Sequence, residues 1–485
     1  MLKSCCGYKE CFFKGIKDNM YNIKIGDRVI EAQAGAKLSD VFIKEGIAHE
    51  HPCGCKGICK KCEISVNGKK ELSCKYYVNS DITVELLQNS AILSQTGAVC
   101  TENTTQNMCF CLDIGTTTLA LALVSIDEKR IIKVITRTNP QRAFGADVIS
   151  RIGYCGKNSV SPLNSILIKK INSMIEEFGL LELKMLYVTG NTTMLHLFFN
   201  VDCSGLGVAP YKPVFLESKE CNANELGLCG VENIFSLPSI SAFVGADIVA
   251  GLHFVSPPQE NKYSLLVDLG TNAEIVLFSQ DTVVCTSAAA GPCFEGANIS
   301  CGISAVKGAV YAFSMDSNSK KHIKTVGDTV AKGICGTGII DIIAELLENG
   351  IIDKTGYMKS DKFHISYGVY ITKEDIRQFQ LAKSAVCSAI LTLIKYKGID
   401  FCDIDKMYIS GGFSAEINIQ NATKTGLLPK ELCEKSVAIN NSSLLGTVKF
   451  ACENNDLSTI VSMAQCIDLS ADKDFSDLFI ENMSF

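Results

Sequence analysis

Asp113 and Asp268 each stand in the same short pattern: an apolar run, then Asp-x-Gly-Thr, then a second apolar run. The first is Phe110-Cys-Leu112, Asp113-Ile-Gly115-Thr116-Thr117-Thr118 and Leu119-Ala-Leu-Ala-Leu-Val124; the second is Ser264-Leu-Leu-Val267, Asp268-Leu-Gly270-Thr271-Asn272 and Ala273-Glu-Ile-Val-Leu-Phe278. Each reads as strand, tight turn, strand. Such a turn presents backbone N–H groups and hydroxyls beside one carboxylate, which suits a polyphosphate with the carboxylate serving a metal ion. One such hairpin says little, because Asp, Gly and Thr are ordinary turn residues. Two of them, 155 residues apart and each followed by alternating helices and strands, predict a duplicated α/β domain with a cleft between its halves. The facing turns then grip a triphosphate from two sides, and Asp113 and Asp268 share one Mg²⁺ that keeps most of its waters. Two glycine-rich stretches add to this. Gly333-Ile-Cys-Gly336-Thr337-Gly338 opens an apolar helix whose N–H groups can face phosphate. Met407-Tyr-Ile-Ser410 ends in Gly411-Gly412-Phe413, where a purine or ribose can approach the backbone closely.

A second constellation is made of soft ligands. Cys53-Gly-Cys55-Lys-Gly-Ile-Cys59-Lys-Lys-Cys62 is followed by Cys74, giving the spacing C-x5-C-x2-C-x11-C for Cys53, Cys59, Cys62 and Cys74. Thiolates suit zinc or an iron–sulfur cluster. Zinc sites usually show two separated C-x2-C pairs, whereas here three cysteines share one loop. Glycines in that loop let backbone amides turn toward cluster sulfides. The region resembles the plant- and adrenal-type [2Fe–2S] ferredoxins, with the longer first gap of the adrenal branch. Cys55 is an extra thiol that competes with Cys53 or stands free beside the cluster. Lys56, Lys60 and Lys61 make the loop basic, as a rim that meets an acidic electron-transfer partner or simply faces water.

The elements that must carry these groups follow from pattern and length. The chain has 485 residues, 47% hydrophobic and 20% charged, which allows two to four ordinary globular domains. A net charge of −6 without a long basic run argues against nucleic-acid binding. No apolar stretch reaches the roughly 20 residues needed to span a bilayer, and the first residues lack a signal-peptide core, so a cytoplasmic location is expected. Of the 24 cysteines most read as small buried hydrophobes in a reducing cytosol, Cys387, Cys402 and Cys452 among them; Cys5, Cys6 and Cys11 lie in an unpatterned extension over residues 1–19. Residues 20–87 read as a small β-rich domain with a hairpin at Tyr21–Glu31 and a short helix from Leu38 to Glu45. Residues 88–108 read as a polar linker that tethers it. Residues 109–485 read as the α/β part, with lobes at about 109–260 and 261–485.

This second part resembles the acetate kinase, sugar kinase, Hsp70 and actin superfamily, an RNase H-like ATPase fold. The two Asp-x-Gly-Thr turns match its phosphate motifs, Gly411-Gly412-Phe413 its adenosine motif, and Thr189–Thr193 and Asn440–Gly446 its two connecting helices. Joined to a β-grasp ferredoxin domain, and with Gly190-Asn-Thr-Thr-Met194, Ala289-Ala-Gly-Pro292 and Phe294-Glu-Gly-Ala297 in place, the whole chain resembles the reductive activators of corrinoid proteins. The resemblance implies a [2Fe–2S] cluster on the four cysteines, ATP and Mg²⁺ in the cleft, a low-potential electron donor, and a Co(II) corrinoid protein of a methyltransferase system as the partner returned to Co(I). It leaves a homodimer open. Plant-type clusters lie near about −400 mV, and in the family's partners Co(II) reduction lies lower, so ATP must drive the transfer. The residue roles it implies are Asp113 and Asp268 for Mg²⁺ and the attacking water, Thr116–Thr118 and Thr271 for phosphate, and Glu295 as a water-positioning or helix-capping group. Some members carry a middle domain between the two parts, and only a linker is expected here. The alternatives are an activator of another low-potential enzyme of the dehydratase type, a small-molecule kinase with a regulatory ferredoxin domain, and a redox-sensing scaffold that binds ATP without turnover.

Separate sites imply separable losses. Cys59→Ser should abolish reduction of the partner while ATP binding survives, and Asp113→Ala should weaken ATP use while the cluster's visible absorption is unchanged. Absorbance and nucleotide-binding titrations on the same preparations check both.

Overall fold

The computed structural model describes residues 20–26, 28–45, 47, 62–86, 107–180, 182–255, 257–412 and 416–485. The expectations placed on Cys53, Cys55, Cys59, Lys56, Lys60, Lys61, Phe413, the N-terminal extension and nearly all of the linker lie outside the described residues. Contacts divide the chain into a small unit built on residues 1–88 and a large one over most of the remainder.

In the small unit, burial alternates along the first two strands and the last, so one face of each turns inward. Strands β1 (Met20–Ile25), β2 (Arg28–Gln33), β3 (Glu63–Val66), β4 (Lys69–Leu72) and β5 (Ile82–Leu86) form one mixed sheet in the order β2-β1-β5-β3-β4. β1 and β5 run parallel, with Ile23 opposite Ile82. Helix α1 (Leu38–Lys44) packs Leu38, Val41 and Phe42 over Ile23, Ile64, Val66 and Val84. A mixed sheet crossed by one short helix is the β-grasp architecture expected for this region.

The large unit is a duplication. Its first half contains β6 (Met108–Ile114), β7 (Thr118–Ser125), β8 (Arg130–Thr138), α2 (Val148–Cys155), α3 (Ser161–Glu176), β9 (Leu183–Gly190), α4 (Thr192–Phe198), the edge strand β10 (Lys219–Asn222), β11 (Val231–Ser236) and α5 (Ala246–Phe254). Its sheet has the order β8-β7-β6-β9-β11-β10. The second half contains β12 (Tyr263–Leu269), β13 (Ala273–Phe278), β14 (Val283–Ala288), β15 (Ala309–Met315), α6 (Gly336–Glu348), α7 (Lys373–Lys397), β16 (Ile404–Ser410), β17 (Ser436–Ala438), α8 (Ser442–Glu453), β18 (Ala464–Cys466) and α9 (Lys473–Glu481). Its sheet has the order β17-β16-β12-β13-β14-β18. Numbering each half's five main strands in chain order, both sheets read 3-2-1-4-5 from one end or the other. In both, the first three strands are antiparallel and the fourth and fifth run parallel to the first. This is the RNase H-like fold of the actin and sugar-kinase type, duplicated.

The halves are tied by exchanged helices. α5, from the first half of the chain, lays Ile248 and Leu252 on Leu266, Val276, Phe278 and Cys285 of the second sheet. α8, from the second half, lays Leu444, Val448 and Ala451 on Cys109, Cys111, Ala120, Ala122 and Val124 of the first. The two helices also pack on each other so closely that a Cβ on Gly446 would sit 1.8 Å from the Ala250 carbonyl oxygen. The chain therefore corrects one expectation. Thr192–Phe198 does form a helix after the Thr189–Thr193 stretch, but the partner of α8 is α5. α5 is apolar nearly all round because it is buried from both sides, so it carries no amphipathic signature. A second correction is small: Cys402 is exposed, whereas Cys387 is buried as expected.

Gly446→Ala should destabilise the large unit by about 1–3 kcal/mol through overpacking. Gly153→Ala in α2, where a Cβ meets nothing within 4 Å, should be neutral or stabilising by about 0.5–1 kcal/mol. Thermal unfolding of both variants checks the contrast, and equal shifts would contradict the close crossing.

Candidate nucleotide and cluster sites

The two turns are built alike. Gly115 N–H donates to the Thr118 carbonyl at 3.0 Å, and Gly270 N–H donates to the Asn272 carbonyl at 2.9 Å. Both turns keep partial exposure while the strands beneath them are buried. The first is braced from behind. Asn139 Nδ2 donates to the Gly115 carbonyl at 2.8 Å, Asn191 Nδ2 donates to Thr116 Oγ1 at 3.1 Å, and Arg151 Nη2 donates to the Thr116 carbonyl at 2.5 Å. Arg151 is fully buried. Burial, with Arg142 nearby, lowers its guanidinium to about 9, while the charges of Glu295 and Asp147 oppose the fall. It stays cationic at neutral pH, a fixed positive charge under a turn suited to anions.

Each aspartate sits where its strand ends. Asp113 on β6 lies in register with Thr189 on β9, and Asp268 on β12 lies in register with Ser410 on β16 and Glu274 on β13. The first turn of α8 reaches both. Asn441 caps that helix by accepting from Leu444 N–H at 2.8 Å, and its Nδ2 donates to Asp113 Oδ2 at 2.7 Å. Ser443 Oγ donates to Asp113 Oδ1 at 3.0 Å. Asp268 is hydrogen-bonded by Ser410, whose Oγ lies 2.7 Å from Ser442 Oγ. Residues 440–446, picked out by sequence, thus join the site through their side chains.

Four carboxyl groups meet here, and all four are only half-buried. Burial raises Asp113 above the ordinary carboxylate range, with the bonds from Asn441 and Ser443 opposing. Burial, with Asp113 nearby, brings Asp268 to about 6 against the Ser410 bond. Burial and then the charges of Asp268 and Asp113 bring Asp247 to about 8. Glu274 is raised well above its usual value by burial and then by Asp247 and Asp268. Among the described residues none of the four has an ion-pair partner. Like charges directly opposite on neighbouring strands destabilise a sheet, so this cluster needs protons or a cation. Its donor set fits Mg²⁺, which takes one or two carboxylates and keeps its waters. Asp247 and Glu274 were not expected from sequence; Asp247 lies in the first turn of α5, the helix that pattern alone did not reveal.

The glycine motifs differ in their settings. Gly411, with φ at +118°, would place a Cβ 2.1 Å from the Leu269 carbonyl oxygen, so β16 can end beside the second turn only with glycine there. Gly412 is exposed, with open space where a side chain would be. Gly336, Thr337 and Gly338 do open α6, but all three are buried. His196 is a core residue, stacked on Phe215 with ring centroids 4.4 Å apart.

In the small unit, Cys62 and Cys74 are buried with their sulfurs 3.2 Å apart. That separation is far longer than a disulfide. Cys62 precedes β3, and Cys74 follows β4, so the β3–β4 hairpin brings the third and fourth motif cysteines together. Two buried thiols that converge without a disulfide bond to each other fit two soft ligands of a shared metal centre.

Two family models match the chain in succession: the RACo middle region over residues 108–256, and the C-terminal domain of RACo, the ASKHA domain, over residues 262–485. The chain is similar to a corrinoid activation enzyme, RamQ, of Eubacterium limosum. The identity is 29% over 414 residues, covering 77% of this chain and 69% of that protein. It is also similar to the Co(II) methylated amine-specific corrinoid protein reductase of Methanosarcina barkeri. There the identity is 28% over 420 residues, covering 77% of this chain and 76% of that protein. Among solved structures, a reductive activator for corrinoid, iron–sulfur protein superposes with a TM-score of 0.72 at 24% identity, covering 96% of this chain and 98% of that chain. At that identity the likeness establishes the fold. The middle-region match corrects the expectation that only a linker precedes the ATPase: the segment read as its first lobe is the one this model describes.

The raised carboxyl groups fix a sign. The native state keeps protons that the unfolded chain has released above about pH 4, so without metal its stability falls as pH rises toward 8. Melting temperature should drop between pH 6 and pH 8.5, Mg²⁺ should restore more at pH 8.5, and Asp247→Asn should flatten the profile. A flat wild-type profile would contradict the cluster.

Proposed function

The chain belongs to the RACo family, and on that premise we propose that it is an ATP-dependent reductive activator that returns the Co(II) form of a corrinoid protein to Co(I) for methyl transfer. The observation that carries the reading is the presence in one chain of a duplicated ATPase fold with paired Asp-x-Gly-Thr turns and a β-grasp unit in which motif cysteines converge. Among the described residues no helix is long and apolar enough to cross a membrane. The reading places the protein in the cytoplasm with a low-potential electron donor.

Cys53, Cys59, Cys62 and Cys74 would hold a [2Fe–2S] cluster, which when bound supplies a one-electron donor near about −400 mV. In the large unit, the hydroxyls of Thr116, Thr117, Thr118 and Thr271 bind phosphate oxygens, in turns that Gly115 and Gly270 close through their own N–H groups. Asn272, Gly411, Gly412 and Phe413 complete the nucleotide site. Asp113 and Asp268 would hold Mg²⁺, which when bound supplies positive charge beside the phosphates, and would orient the attacking water; Asn441, Ser443 and Ser410 aim their carboxylates. A triphosphate engaged by both turns favours the arrangement in which the lobes are drawn together about the α5–α8 crossing. Such a preference is what lets nucleotide binding bias the docked partner. Where the cobalt potential lies below that of the donor, this bias is what moves the electron.

Reduced holoprotein mixed with MgATP and a Co(II) corrinoid protein should develop the Co(I) absorption band. No band with any corrinoid partner from the same host would sink the proposal, whereas ATP consumption that follows a sugar or acid would point to a kinase instead.

A further inference from the structure

Glu295 joins the two phosphate-type turns. Thr117 Oγ1, in the first, donates to Glu295 Oε1 at 2.8 Å; Thr271 Oγ1, in the second, donates to Oε2 at 2.5 Å. One carboxylate thus spends each of its oxygens on a different half of the duplicated domain. It sits at the end of a short turn, Pro292–Glu295, between Gly291 and Gly296. Its two oxygens are engaged by the turns rather than by a helix N-terminus. To a hydroxyl donor, a carboxylate oxygen and a phosphate oxygen are the same partner, an anionic acceptor. A threonine hydroxyl has one proton to give. Thr117 and Thr271 therefore cannot serve Glu295 and a nucleotide phosphate together. The buried guanidinium of Arg151 lies close enough to feel the Glu295 charge, so the carboxylate stands in the same favourable field that a phosphate would use.

We propose that Glu295 is a latch: a built-in anion that occupies Thr117 and Thr271 in the nucleotide-free protein, holds the two turns in register, and is displaced by the polyphosphate of ATP. The role rests on the ATP reading above and goes beyond it. The link between the lobes passes from carboxylate to phosphate, so the turns are never free of an anion, and nucleotide affinity is reduced by the competition.

The test is a double-mutant cycle on the full chain with its cluster, using a non-hydrolysable ATP analogue with Mg²⁺ as the calorimetric probe. Glu295→Ala should bind the analogue about tenfold tighter than the wild type, the size expected for losing charged hydrogen bonds that compete. Thr271→Val removes a latch arm and a phosphate contact together in the wild type, so its cost there should be under about threefold. In the Glu295→Ala background it removes only the phosphate contact, and its cost should rise to about tenfold. If Glu295→Ala fails to fold, Glu295→Gln, which keeps one acceptor, should show a smaller gain of the same sign. Equal costs of Thr271→Val in both backgrounds, or no gain on removing Glu295, would overturn the latch while leaving the ATP site standing. No binding by the wild type would overturn the ATP reading itself, and the latch with it.

Discussion

The first turn of α8 is the contact on which the large unit depends. Asn441 and Ser443 bind Asp113 directly, and Ser442 reaches Asp268 through Ser410. One helix start from the second half of the chain thus holds the Asp113 carboxylate of the first half and supports the Asp268 carboxylate of the second. It can do so only because Gly446, one turn further on, lets α8 lie against α5 at the Ala250 carbonyl. The exchange of helices between sheets, the crossing of α5 and α8, and the aim of both aspartates are one packing problem with one solution. A change at the crossing is therefore transmitted to the site without touching a ligand.

That arrangement concentrates negative charge. Asp113, Asp247, Asp268 and Glu274 share one half-buried region, and each is raised above its ordinary range. Folding without a cation keeps this strain in the native state. A site that is unfavourable when empty and relieved by a divalent ion with phosphate is suited to responding to the nucleotide. Arg151 beneath the first turn and Glu295 between the turns set the opposing charges through which that response passes.

What could be read from sequence was local. The Asp-x-Gly-Thr turns, the cysteine spacing and the glycine-rich start of α6 all depend on residues a few positions apart, and each has a pattern. Asn440–Gly446 was legible as a motif, though its grip on Asp113 was not, since the two are more than 300 positions apart in sequence. α5 escaped because burial on both sides erases the polar face that marks a helix. Asp247 went with it. Glu274 reads as one polar residue in an apolar strand; only the register that sets it opposite Asp268 gives it meaning. The bridge made by Glu295 is tertiary in the same way, because nothing near it in sequence points to Thr117.

In the proposed function, nucleotide turnover in the large unit drives the reduction of a cobalt partner. Phosphate release and Co(I) formation recorded together, with and without the Co(II) corrinoid protein, test it most directly. Phosphate release should be slow alone and faster with the partner present, with Co(I) accumulating in fixed ratio to phosphate. Co(I) forming equally well with ADP, or phosphate release indifferent to the partner, would contradict it.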